Sequence, residues 1–388
     1  MLDSNWSLAI PPSTSPRVLF LGTTYAGWAT QFANLRADVL RDGSLDPTFR
    51  SVSGWREGGV FERLPLPAAF AGRLRALTEA APFASLPRPD AIWLSAPEVA
   101  TPYLWSQLGP LRRPIVLDLD ATATQLEAMA GPYFGRLPKS GFRRILAGAN
   151  DRLLRTTVTA YTPWSRWAAD GLRAEGVPPG RIHVVPPGVD LDAWQVPTRP
   201  PRDLTAPLKL LFVGNNVVRK GGDLLLELMQ SPWGSRFELD LVTGEDVASD
   251  APNVRVHRAG ANSPELRRLF AGADLFVLPT RAECFGIASV EAMASGLAVV
   301  MGDVGGARDI VDEGATGWLI KPTREGLRDA LDHALAVRES LPLMGARARA
   351  TAEARFDGRA NHGRIIDLLL DLCGGGAHEP RPQTAMKR

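Results

Sequence analysis

The chain has 388 residues, of which 45% are hydrophobic and 22% charged, with a formal net charge of +2 and two cysteines. That length accommodates two domains with full cores, and the near-neutral charge without any clustered basic and aromatic module speaks against nucleic acid as a partner. Cys284 and Cys373 have neither metal-ligand spacing nor a disulfide framework, which points to a reducing compartment, and no apolar window approaches the ~18 residues of a membrane span.

Met1 to Pro16 is rich in proline and serine and lacks a basic region followed by an apolar core, so it reads as a loose end, not a secretory signal, in a cytoplasmic protein. Arg17 to Leu21 forms the first strand, and Gly22 to Trp28 the loop at its carboxyl end, where open α/β sheets bind ligands. Thr23, Thr24, Tyr25 and Trp28 in that loop are candidates for contact with an acceptor, although Tyr25 and Trp28 could equally pack under the next helix. No G-x-G-x-x-G follows the strand, which excludes a nicotinamide-dependent dehydrogenase. Val39 to Phe61 shows no clear periodicity, Phe70 to Ala81 reads as a helix, and Ala91 to Leu94 and Pro114 to Leu119 read as strands. Asp118 and Asp120, at the end of the latter, either face an acceptor or cap the next helix. Between Phe134 and Arg155 six basic side chains stand against Asp151 alone, the pattern of either a peripheral contact with anionic membrane or a solvated outer helix.

Val158 to Tyr161 is a strand, and Ser165 stands near the cap of the helix that follows. Arg181 to Val185 is the last strand-like run of the first half. The proline-rich stretch Asp192 to Pro207 reads as a linker, which gives domains over 1–198 and 199–357, with a hinge between them able to close on a ligand. Beyond it, Leu208 to Val213, Phe237 to Val242 and Val254 to His257 are strands. Leu275 to Leu278, a loop to Gly286, a helix from Ile287 to Ser295, a strand from Leu297 to Met301 and a glycine-bearing loop from Gly302 to Gly306 make two strand–loop–helix units in succession. They specify a doubly wound parallel sheet. Helices then cover Leu327 to Val337, Ser340 to Glu353 and Gly358 to Leu372, the last at the place of a segment 358–373 crossing back to the first domain, before a flexible tail over 374–388.

Both loops of those units should face one crevice, with a helix N-terminus offering N–H groups to a phosphate. Glu283 lies in the first loop and Glu291 two turns into the helix, so a ligand along the helix start meets a carboxylate at each end. Carboxylates accept hydrogen bonds from sugar and ribose hydroxyls, and a phosphate between two polyols describes a nucleotide sugar. Glu291 stands among Ile287, Ala288, Val290, Ala292 and Met293, where an idle charge would be costly.

Glu283 and Glu291 with seven residues between them, Phe285-Gly286 inside that interval and Gly305-Gly306 beyond it resemble the paired-glutamate motif of the family 4 retaining glycosyltransferases. The likeness extends to Val184-Val185-Pro186-Pro187-Gly188-Val189-Asp190, to Phe212-Val213-Gly214 and to Arg219-Lys220-Gly221. It implies the GT-B fold, two Rossmann-like doubly wound domains facing a central cleft, with the acceptor in the first half and the nucleotide-sugar donor in the second. It implies glycosyl transfer with retention: Lys220 and Arg219 neutralise the departing diphosphate, Glu283 holds sugar hydroxyls and Glu291 the ribose. Gly214, Asn215, Arg258, Cys284, Phe285, Gly286 and Ile287 complete the donor side, the base resting near Arg258 to Asn262. Asn215 replaces an arginine common in relatives, and a histidine often found near Asp118 is missing. The second half has no Asp-x-Asp pair, so no metal and no cofactor beyond the nucleotide sugar are expected. A nucleotide-sugar epimerase of the same fold and a non-catalytic nucleotide-sugar binding protein are the alternatives.

Overall fold

The computed structural model describes residues 15–23, 26–53, 88–95, 113–129, 152–196 and 203–374, with a few single positions between 59 and 131. Thr24, Tyr25, most of the helix expected over Phe70 to Ala81, most of the basic segment Phe134 to Arg155 and the tail lie outside the described residues. Two parallel sheets carry the chain. The first has the order β2-β1-β3-β4-β5, from Asp46–Val52, Arg17–Thr23, Ala91–Ser95, Ile115–Leu119 and Ala160–Pro163. The second has the order β11-β10-β9-β6-β7-β8, from Gly317–Ile320, Ala298–Gly302, Leu275–Leu278, Leu208–Val213, Phe237–Val242 and Val254–His257.

Strands buried on both faces read as unbroken apolar runs, and β1, β3, β4, β9 and β10 are of this kind. Alternate residues of β1 serve opposite faces. Val18 and Phe20 join Phe32, Leu35 and Val39 of α1 (Ala26–Asp42) and Ile365, Ile366 and Leu369 of α10 (Gly358–Leu372), while Leu19 and Leu21 join the main core. The remaining helices are α2 (Ala123–Ala128), α3 (Arg166–Ala174), α4 (Gly222–Met229), α5 (Pro264–Gly272), α6 (Ile287–Ala294), α7 (Ala307–Ile310), α8 (Arg324–Ala336) and α9 (Leu341–Arg355). Among the described residues, no helix is long and apolar enough to cross a membrane.

The chain passes between the sheets at two places that are bonded to each other. Val189 N donates to Phe356 O and Gly358 N to Val189 O, each at 3.0 Å. A Cβ on Gly188 would stand 2.3 Å from the Gly358 Cα, so no other residue fits there without moving the backbone. The proline-rich stretch that composition marks as the linker begins after this crossing. Its start is already fastened to the second half: Trp194 is buried edge-on against Phe270, and Arg349 donates to the carbonyls of Trp194 and Ala294. Proline-rich composition reports backbone that cannot join a sheet. It does not report where two cores part.

At the carboxyl end of β4, Asp118 has no exposed surface. Its Oδ1 accepts from the Thr162 hydroxyl at 2.7 Å and its Oδ2 from the Trp164 indole N–H at 2.8 Å. Burial outweighs both bonds and raises its pKa from 3.8 to about 7. The following helix is capped by a reciprocal Thr122–Gln125 box, which corrects the alternative that Asp118 or Asp120 caps it. Because the folded pKa lies above the unfolded one, the folded state binds the extra proton between the two values, and this group's contribution to stability declines as pH rises from 3.8 to about 7. Asp118→Asn mimics the neutral acid, donating to Thr162 and accepting from Trp164. Melting curves should therefore show a higher Tm than wild type at about pH 7.5 and a flatter fall in Tm from about pH 5; a lower Tm at the upper pH would mean that the ionised carboxylate is required.

Candidate functional site

The order of the second sheet reverses between β6 and β9, and at such a switch point the loops leaving the carboxyl ends diverge around a crevice. Here the two loops also touch. Arg281 N donates to Arg219 O at 2.8 Å, and Arg219 Nη1 to Ala282 O at 2.6 Å. Gly221, with φ +77°, makes the approach possible: a Cβ there would lie 2.1 Å from Pro279 O.

On this joined pair of loops Lys220 Nζ meets Glu283 Oε2 at 2.5 Å, and Arg219 Nη1 stands 3.8 Å from the same oxygen. All three side chains are mostly shielded, at 13% exposure for Arg219, 15% for Lys220 and 12% for Glu283. The Lys220 stem runs across Gly214, where a Cβ would stand 2.3 Å from the Lys220 Cδ. Two cations and a carboxylate on rigid backbone give a place where an added anion can draw both cations away from Glu283, freeing that carboxylate for hydroxyl groups.

Gly286, at φ +103°, opens α6 without any capping side chain, leaving the first N–H groups of the helix available to an anion. Glu291, in the middle of this helix, is 5% exposed and has no hydrogen-bond partner for its carboxyl group among the described residues. Desolvation raises its pKa from 4.5 to about 8. Buried polar groups are nearly always partnered, so a shielded carboxyl without a partner among the described residues is a candidate for contact with a ligand. The second glycine loop closes over the first: Gly306 N donates to Cys284 O at 3.0 Å, and a Cβ on Gly305 (φ +56°) would fall 1.9 Å from Glu283 O.

The first half supplies the opposite wall. Trp164 packs on Trp28 with ring centroids at 4.1 Å and meets Phe285 edge-on at 6.0 Å, and Phe285 in turn meets Phe356 at 6.1 Å. Asp309 of α7 accepts from Arg166 Nε at 2.5 Å and from Trp167 N at 3.2 Å, so an acid of the second half caps a helix of the first. Ile287 faces the start of α1 near Gly27, and Asn262 Nδ2 reaches Asn34 Oδ1 at 3.4 Å.

The structure thus gathers Lys220, Arg219, Glu283, Gly214, Cys284, Phe285, Gly286, Ile287 and Glu291 on two loops and one helix. Asn215 is turned away, its Oδ1 accepting from Gly244 N at 2.7 Å. Arg258 pairs with Asp246, and Asp120 is half-buried just past the end of β4. Trp28, which the sequence leaves between acceptor contact and packing with the following helix, is a buried residue of α1. Sequence reasoning missed Trp164, Asp309 and Asn34, each of which acts through a long-range contact with no local motif.

The model of the group 1 glycosyl transferases matches residues 207–336, and that of the glycosyl transferase 4-like domain matches residues 20–188. D-inositol 3-phosphate glycosyltransferases from Xylanimonas cellulosilytica and Geodermatophilus obscurus are each 33% identical, over 217 and 237 residues, or 50% and 53% of this chain. The alignments span about half the length of those relatives, 50% and 49%. Sucrose-phosphate synthase from Thermosynechococcus elongatus superposes with a TM-score of 0.74 over 93% of this chain and all of its own, at 18% identity. Anabaena HepE in complex with UDP and glucose superposes with a TM-score of 0.65 over 92% of this chain and all of its own, also at 18% identity. With one matched model in each half and two facing parallel-sheet domains of the GT-B fold, the chain belongs to the group 1 glycosyltransferases.

Proposed function

We propose that the protein moves a sugar from a nucleotide-sugar donor to a hydroxyl-bearing acceptor, with retention of configuration and without a divalent cation. The observation that carries this reading is the buried carboxyl of Glu291, without a hydrogen-bond partner among the described residues, on the helix that starts beside the Lys220–Glu283 ion pair. A nucleoside diphosphate sugar laid across the start of α6 places its ribose hydroxyls on Glu291, its diphosphate against Lys220, Arg219 and the helix N-terminus, and its sugar by Glu283. As the glycosidic bond breaks, charge grows on the diphosphate, and fixed cations stabilise it more in the transition state than in the intact donor. HepE and its complexes with UDP and UDP-glucose support the donor class. The first half, across the crevice, is the place for the acceptor.

A thermal-shift panel of UDP-, GDP- and ADP-sugars tests the donor, since a ligand at about 100 times its Kd adds roughly 2.7 kcal/mol of stability. Transfer with the best donor should persist in EDTA. A flat panel, or activity that EDTA abolishes and Mn²⁺ restores, contradicts the proposal.

The two ends of the site should differ kinetically. Lys220→Ala is expected to lower kcat by roughly two to three orders of magnitude, as other removed charge stabilisers do. Glu291→Gln, at a ribose unchanged by the reaction, should raise KM more than it lowers kcat, and Glu283→Gln should harm both. A well-folded Lys220→Ala with wild-type kcat would sink this placement of the donor.

Proton linkage gives an independent check. The free protein holds Glu291 neutral below a pKa of about 8, and its share of stability falls as pH rises from 4.5 through that value. Ribose hydroxyls that donate to both oxygens favour the ionised form, so nucleotide binding should release a proton and tighten up to about tenfold per pH unit below that pKa. Titration calorimetry in buffers of different ionisation enthalpy reads the released proton. Glu291→Gln should abolish it; release that survives the substitution rules out this carboxyl as its source.

A further inference from the structure

The turn after β7, Thr243-Gly244-Glu245-Asp246, carries none of the residues placed on the donor, yet it is bonded to the loops on either side of it. Glu245 Oε1 accepts from Asn216 N–H at 2.7 Å and its Oε2 from Val217 N–H at 3.1 Å. Asn216 holds a left-handed φ of +59°, a conformation asparagine tolerates better than most residues. From there the chain makes a single helical turn: Lys220 N donates to Asn216 O at 2.9 Å, Gly222 N to Val217 O at 2.8 Å and Arg219 N to Asn216 Oδ1 at 3.1 Å. The Glu245 carboxylate therefore caps the turn that carries Arg219 and Lys220. The bond from Gly244 N to Asn215 Oδ1 ties the same two segments in the other direction. On its far side the turn holds the base loop, through Thr243 N to His257 O at 3.0 Å and the pairing of Asp246 with Arg258.

We propose that Glu245 is a positioning residue for sugar transfer: by accepting the Asn216 and Val217 N–H groups it fixes the turn that aims Lys220 and Arg219 at the diphosphate. This rests on the reading of the 214–222 loop as the diphosphate loop. A carboxylate on that loop opposes anion binding by its charge, so its favourable effect lies in geometry. It belongs to kcat, where a misplacement of about 1 Å can cost about 100-fold, and not to donor affinity.

The test compares wild type with Glu245→Ala and Glu245→Gln, with and without formate, a small carboxylate able to accept the two freed N–H groups. Amide hydrogen exchange over 216–222 needs no donor. It should rise in Glu245→Ala and fall back with formate. With whichever of UDP-glucose, UDP-N-acetylglucosamine or GDP-mannose wild type turns over, kcat of Glu245→Ala should drop roughly 10- to 100-fold. Donor KM should stay unchanged or fall, and formate should restore kcat saturably. Glu245→Gln keeps one acceptor oxygen and should lie between; if Glu245→Ala does not fold, the Gln variant carries the same comparison. Unaltered exchange over 216–222, a KM rise with kcat intact, or a kcat loss that formate leaves untouched overturns the proposal. Wild type inert toward the whole panel of UDP-, GDP- and ADP-sugars overturns instead the reading of the loop, while the exchange experiment still decides the brace.

Discussion

Backbone contact between the loops after β6 and β9 is the constraint on which the rest of the site depends. Lys220 and Glu283 are 63 residues apart in sequence, and their ion pair exists because Arg219 and Arg281 bond main chain to main chain beneath it. At Gly221, and at Gly305 on the loop after β10, any side chain would have to push neighbouring loops apart. Parallel β6–β9 pairing brings the loops near, and glycine lets them close the last few ångströms. Long, flexible lysine and arginine side chains gain precision when their stems are held in this way, since little rotamer freedom is then left to lose on binding.

Three carboxyl groups in the molecule differ chiefly in what surrounds them. Glu283 lies against two cations, Asp118 accepts two neutral donors inside a core, and Glu291 is buried with no hydrogen-bond partner for its carboxyl among the described residues. For Asp118 and Glu291 the loss of water dominates, and both pKa values rise. Thr162 and Trp164 each donate to one oxygen of Asp118, which suits a structural role. Among the described residues nothing satisfies either form of Glu291, and this asymmetry separates a candidate ligand contact from a core group more sharply than burial does.

The second half was legible because its signals are local. Leu275 to Leu278 is an unbroken apolar run, Phe237 to Val242 alternates apolar with acidic residues, and Leu208 to Val213 is apolar but for Lys209, while Glu283 and the glycines mark the loops and Glu291 the helix beyond. In the first half β2 escaped notice: Asp46–Val52 is a half-exposed edge strand bearing Pro47 and Arg50, so it has no apolar run and no clean alternation. The crossing at Gly188 and Val189 was hidden for a related reason, because its bonds go to Phe356 and Gly358, far along the chain. Asn215 shows a further limit. Sequence position placed it on the donor, but its amide oxygen is used by Gly244, and no pattern within the loop could have announced that.

Aromatic packing ties these separate features into one device. Trp28 of α1, Trp164 beyond β5, Phe285 of the glutamate loop and Phe356 at the second crossing form a continuous column of rings. Two of its members belong to the first half, one lies two residues from Glu283, and the last bonds through its carbonyl to Val189 at the junction. Rings in contact resist independent displacement because interiors are packed at near-crystalline density. A shift of the first half about the Val189–Phe356 junction must therefore move Phe285 or part it from Trp164, and either event reaches the loop that holds Glu283. The Arg166–Asp309 pair binds the same two halves beside the Gly305-Gly306 loop. The position of the donor loops is thus set partly from across the crevice, which makes the arrangement of the two halves a determinant of the site and not merely its container.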